Sequence, residues 1–140
     1  MKRLTPNLAV KDVRASVNYY TEHFGFVLKM AVSEDKSAVG DTLVEGKEYV
    51  WANIMNGDVG FMFQREDSLK EDVGDFFDTL GASGTFYMEV EDIDTLYHNV
   101  KNRVEILKEL ETTWYGQREF YVRDLNGYVL AFAMMEQKGS

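Results

Sequence analysis

A chain of 140 residues, 45% hydrophobic and 14% aromatic, suits one compact domain or two small halves sharing a core, and excludes an intrinsically disordered protein. Cysteine is absent, which removes disulfides, thiolate metal sites and a cysteine nucleophile. No apolar run approaches the roughly 18 residues of a membrane span, no signal peptide is seen ahead of Pro6, and the net charge of −9 opposes sequence-independent binding to nucleic acid phosphates. The expectation is a soluble, cytoplasmic protein with no nucleic-acid or membrane partner; net charge otherwise reports solubility.

In chain order, residues 4–10 read as a strand. Asp12 is placed to cap a helix running through His23, whose stripe is Val13, Val17, Tyr20 and Phe24, with Gly25 as its stop. Residues 26–32 form a second strand. Residues 33–47 are polar and read as a long loop with some strand. Residues 49–55 and 58–64 flank Asn56-Gly57 as a hairpin, because both turn residues tolerate positive φ. The connector at 68–80 has Ser68 and Glu71 at capping-box spacing, and Val73, Phe76, Phe77 and Leu80 at helical spacing, although Gly74 weakens a helix there.

The order then restarts. Residues 85–90 are a strand, Asp92 or Asp94 caps a helix with the stripe Ile93, Leu96, Tyr97 and Val100, and residues 104–110 are a strand. A hairpin over residues 112–133, turning at Asp124-Leu125-Asn126-Gly127, closes the chain. Thr5, Val10 and Asp12 recur 80 positions later as Thr85, Val90 and Asp92, which supports an internal duplication. The expected division is a first module at 1–66, a connector at 67–83, a second module at 84–136 and a disordered tail at 137–140.

Strand alternation separates two faces. Leu8, Val10, Phe61, Phe63, Met88, Val90, Leu130 and Phe132 share the parity that packs on the helices. The opposite parity carries Asn7, Met62, Gln64, Tyr87, Glu89, Ala131 and Ala133. A two-residue Asn56-Gly57 turn would pair Trp51 with Met62 and bring Tyr49, Trp51 and Asn53 to this second face. A three-residue loop at 125–127 would pair Phe120 with Phe132 and bring Glu119, Tyr121 and Arg123 there. The ligand-facing wall is thus expected to contain Tyr49, Trp51, Met62, Tyr87, Glu89 and Tyr121, with Glu119 and Arg123 as further polar anchors. Trp114 and Tyr115 are expected over its mouth, aimed by Gly116. No Gly-x-Ser-x-Gly elbow or phosphate-cradling glycine loop is present, so catalytic residues are not assigned.

The duplicated modules, with TPNLAVKD leading a helix that ends HFGF and WYGQREFYVRDLNGYVLAF closing the chain, resemble the vicinal oxygen chelate superfamily of glyoxalases, extradiol dioxygenases and bleomycin-resistance proteins. The resemblance looks closest to the bleomycin-resistance branch. It implies an α+β fold: two βαβββ modules forming a cupped, barrel-like mixed sheet with helices on the outside, in a homodimer. Carried onto this chain, the metal-ligand positions of that superfamily fall on Thr5, Met62, Thr85 and Ala131. None is a histidine or carboxylate, and His23 and His98 lie on helices. The neighbouring register, Phe61 for Met62 and Phe132 for Ala131, supplies no histidine or carboxylate either. The resemblance thus implies no metal and no cofactor, but a non-catalytic protein that binds a small aromatic or cationic molecule. The alternative is a metal-dependent lyase or dioxygenase whose ligands lie elsewhere.

Overall fold

A computed structural model describes residues 1–135. The chain divides between Leu80 and Gly81 into two compact units, each a mixed sheet with one principal helix. The fold is α+β, with one sheet of five strands and one of four. The division falls inside the connector, and the tail expected at 137–140 lies outside the described residues.

The first unit runs β1 (Asn7–Val10), α1 (Val13–Phe24), β2 (Val27–Ser33), β3 (Val39–Gly40), β4 (Tyr49–Asn56), β5 (Val59–Arg65) and α2 (Glu66–Val73). Its strand order is β1-β5-β4-β2-β3, with β1 and β5 parallel and the other pairs antiparallel. Asp12 accepts the Ala15 N–H at 3.0 Å and so starts α1, a cap of about 1 kcal/mol. Gly25 ends it in the left-handed conformation at φ 69°, and the Asn56 side chain reaches back to the Phe24 carbonyl at 2.9 Å. The predicted stripe Val13, Val17, Tyr20 and Phe24 is buried. Tyr20 packs its ring at 5.7 Å from Phe61 and 5.1 Å from Phe63, so the helix covers the face that alternation assigned to it.

Two local expectations change. The turn of the first hairpin is Gly57-Asp58, closed by an Asn56–Val59 pair, so Trp51 lies opposite Gln64 and Asn53 opposite Met62. Gly57 takes φ 56°, as such a turn requires, and the slip changes partners without exchanging faces. The connector helix starts at Glu66 instead of Ser68, without a side-chain cap, and stops at Gly74. Phe76, Phe77 and Leu80 therefore lie beyond the helix. A glycine at φ 111° ended what apolar spacing alone would have continued.

The second unit runs β6 (Thr85–Glu89), α3 (Ile93–Val100), β7 (Glu105–Thr112), β8 (Gln117–Arg123) and β9 (Val129–Met135), in strand order β6-β9-β8-β7 with β6 and β9 parallel. Asp92, not Asp94, is the cap of α3, bonding the Thr95 N–H and hydroxyl at 3.2 and 2.8 Å. The closing hairpin has the expected three-residue loop and the expected Phe120–Phe132 pair, whose rings stack at 5.0 Å. Asp124, 4% exposed, holds the loop by accepting the Asn126 and Tyr128 N–H groups, both at 2.9 Å.

Candidate functional site

On the face of the second sheet away from the Phe120–Phe132 core, the ladder sets two cross-strand rows. One runs Tyr87, Ala131, Tyr121 and Lys108; the next runs Glu89, Ala133, Glu119 and Glu111. The central strand β9 contributes only methyl groups, and both alanines are completely buried. That floor leaves room for a long side chain from β6 to cross to β8. Tyr87 does so, and its hydroxyl donates to Glu119 Oε2.

Glu119 is the centre of the arrangement. Its carboxylate is only 1% exposed, and its second oxygen, Oε1, accepts from the Tyr115 hydroxyl at 2.7 Å. Two phenols thus shield one buried charge from opposite ends. Among the described residues no lysine or arginine pairs with it. Glu111, directly across the ladder, is of like sign, an unfavourable pairing. Glu111 is answered by Lys108 at 2.8 Å, which holds the Lys108 ammonium charged above its ordinary range. The same ammonium sits 6.0 Å over the Tyr121 ring.

The phenols respond to this charge. Partial burial, then the bonded Glu119 carboxylate, push Tyr87 well above the ordinary phenol range. Tyr115 is raised first by its bond to Glu119 and then by partial burial. Both remain neutral donors at physiological pH, as their bonds to a carboxylate require.

Tyr115 belongs to the β7–β8 turn, residues 113–116, which Thr113 ties with a backbone bond to the Gln117 carbonyl at 2.7 Å and a hydroxyl bond from the Gln117 N–H at 3.1 Å. Gly116 at φ 85° makes the bend that sends Tyr115 back over the sheet. Trp114 stays outside, 94% exposed, touching Tyr115 edge-on at 5.2 Å between ring centres.

The fold therefore gathers Tyr87, Tyr115 and Tyr121 around Glu119. Glu89 lies exposed at the far end of the second row. Arg123 is taken up at the sheet edge by Glu105 at 3.4 Å. Arg118 points elsewhere, bonding Thr112 at 3.1 Å and Asp94 at 2.7 Å, which ties α3 to the β7–β8 ladder.

The first unit carries different chemistry in equivalent positions. Asn7 and Tyr87 stand at the same place before their capping aspartates, and Trp51 occupies the ladder position that Glu119 holds in the second unit. Met62 and Trp51 are half-buried on the expected face. Gln64 there is saturated, accepting from Asn7 at 3.0 Å and donating to Ser68 at 3.0 Å and Asp72 at 2.7 Å, which fastens α2 to the sheet. Tyr49 is 3% exposed. Its hydroxyl accepts the Val44 N–H at 2.7 Å, and Arg14 from α1 lies 5.3 Å over its ring. Its role is to anchor the loop preceding β4, and a β-bulge between Val32 and Ser33 accompanies the irregular register there.

Among the described residues, no three His, Cys, Asp or Glu side chains converge as a metal site would require. Ala131 and Met62 offer no donor suited to a divalent ion, and Thr5 and Thr85 only hydroxyls. Sequence reasoning named Glu119 as an anchor but left it out of the ligand-contacting set. It missed Lys108 entirely, because the irregular β7 register hides which charges face Tyr121.

A profile of the Glyoxalase/Bleomycin resistance protein/Dioxygenase superfamily matches residues 3–132. Among solved structures, a protein of unknown function from Agrobacterium tumefaciens str. C58 is similar at TM-score 0.71 and 22% identity, covering 96% of this chain and 94% of that one. A glyoxalase-related enzyme from Fulvimarina pelagi is similar at TM-score 0.71 and 16% identity, with 96% and 88% covered. A glyoxalase/bleomycin resistance protein/dioxygenase from Nocardioides is similar at TM-score 0.68 and 17% identity, with 100% and 88% covered. At these identities the likeness speaks to the fold alone. No curated protein matches. With the duplicated modules and a profile spanning nearly the whole chain, this protein belongs to the glyoxalase/bleomycin resistance protein/dioxygenase superfamily.

Proposed function

We propose that this protein binds a small aromatic or cationic molecule at the tyrosine-lined face of its second unit without a metal ion, and serves by sequestering it, as a drug-binding protein would. The observation that carries this reading is Glu119, a carboxylate 1% exposed, with phenols as its only hydrogen-bond partners among the described residues and no cation opposite. Burying an unpaired charge costs several kcal/mol, and a cationic guest would offset part of that cost. Tyr121 and Tyr87 supply ring faces beside it, suited to a flat or positively charged group. Trp51 and Met62 offer an apolar surface on the first unit, and Glu89 and Trp114 border the phenol cluster. A homodimer in the cytoplasm is the assembly and setting this reading carries, the pairing resting on the habit of the superfamily.

The test is a titration of chelator-treated protein with bleomycin-type and other planar cationic compounds, followed by tryptophan fluorescence and calorimetry. Saturable binding that Glu119→Gln weakens at least tenfold is expected. Silence across the panel would sink the proposal. A stoichiometric transition ion, lost together with an enzymatic activity, would put a metal-dependent lyase or dioxygenase in its place.

A further inference from the structure

Glu119 cannot meet a ligand while both phenols cover it, and the two covers are not equivalent. Tyr87 is rooted in β6, a strand bonded along its length to β9. Tyr115 hangs from the 113–116 turn, is 48% exposed, and apart from its bond to Glu119 has Trp114 as its ring neighbour and the Thr113 side chain at its hydroxyl, both from the same turn and able to move with it. Rotating its side chain away breaks no strand pairing.

Removing Tyr115 leaves Oε1 of a buried carboxylate without a donor. An oxygen in that state carries the desolvation penalty of an unsatisfied charged acceptor, so whatever replaces the phenol has to donate a hydrogen bond. A neutral arene has no N–H to give. A quaternary ammonium has charge but no donor. A protonated amine has both. The Lys108 ammonium, lying over Tyr121 one row away, shows that this ring already accepts such a group from the chain itself.

We infer that the ligand of this site is a protonated primary or secondary amine attached to a flat ring, and that it enters by displacing the Tyr115 phenol from Glu119. This rests on the binding reading given above and narrows it. Tyr115 is the lid and the competitor at once. Its phenol occupies Oε1 when the site is empty, and the ligand N–H takes that oxygen over. Trp114, in edge contact with Tyr115 and otherwise in solvent, moves with it.

Three matched probes decide the matter: 2-naphthylmethylamine, its trimethylammonium counterpart and 2-naphthylmethanol, each titrated calorimetrically into the full chain and into Tyr115→Phe and Glu119→Gln variants. The amine is expected to bind the unaltered protein at least tenfold more tightly than either counterpart. Tyr115→Phe, which has no phenol to displace, is expected to bind the amine about fivefold more tightly, and Glu119→Gln at least tenfold more weakly. Amide hydrogen exchange across residues 113–116 is expected to accelerate when the amine is bound. Equal affinity for the trimethylated or neutral probe, or weaker amine binding by Tyr115→Phe, overturns the displacement inference while leaving a binding site in place. No binding of any probe by any variant overturns the site reading itself, and this inference with it.

Discussion

At Glu119 three side chains from separate strands and a turn depend on one another. Tyr87 is held neutral first by partial burial and then by the carboxylate beside it, and Tyr115 first by its bond to that carboxylate and then by partial burial. The linkage has a definite sign. A phenol whose folded value lies above its unfolded one contributes stability that is fully present below the ordinary tyrosine value of 10.0 and is lost as pH rises through the raised folded values. In an alkaline titration followed by phenolate absorbance, Tyr87 and Tyr115 are therefore expected to ionise late, and Tyr87→Phe is expected to remove one late-ionising phenol. Ala131 sets the floor under this contact. Ala131→Leu would force a branched side chain into a fully buried position beneath the Tyr87 crossing, with an expected loss of about 1–3 kcal/mol in denaturant unfolding. The same change is expected to abolish amine binding, because the phenol could no longer reach β8.

The elements owe their ends to a handful of local devices. Asp12 and Asp92 start α1 and α3 in the same way, and Gly25 stops α1 where the chain must turn into β2. At Gly25 a methyl group would meet only the Asn56 Nδ2 at 3.6 Å, an ordinary contact, so the cost of substitution there is conformational. Gly25→Ala is expected to lower stability by about 1 kcal/mol in thermal or urea denaturation, the cost of holding an L-residue at positive φ. The closing hairpin kept the register its sequence implies because Asp124 closes the loop on two backbone N–H groups and stacked phenylalanines pin the strands. The first hairpin slipped because Asn56-Gly57 and Gly57-Asp58 are both acceptable turn pairs. Asn56 was drawn out of the turn to satisfy a helix carbonyl instead.

In the molecule as a whole, one module order occurs twice and its chemistry has diverged. The first unit sets tryptophan, methionine and a saturated amide network where the second sets phenols and a buried carboxylate. Among the described residues, neither brings three His, Cys, Asp or Glu side chains together as a metal would need. Chelator treatment is accordingly expected to leave both the melting temperature and amine binding unchanged, measured by calorimetry before and after dialysis. A fall in either would restore an ion to the account.

The residue pattern alone settled the order of the main elements, the Asp12 cap, the register of the closing hairpin and the face each strand turns to the helices, since these follow from spacing within a few residues of chain; it misplaced the start of α2 and the turn of the first hairpin. It also placed Tyr87, Tyr121 and Glu119 on one face, because strand parity is a local property. Tertiary structure decided the rest. Tyr49, sharing the parity of Trp51, was captured by Arg14 and the loop before β4. Tyr87 meets Glu119 only because β6 and β8 flank the alanines of β9, and that neighbourhood is created by pairing β6 with β9, distant in sequence, beside the local β8–β9 hairpin. Alternation states which way a side chain points; only the assembled sheet supplies the group it reaches.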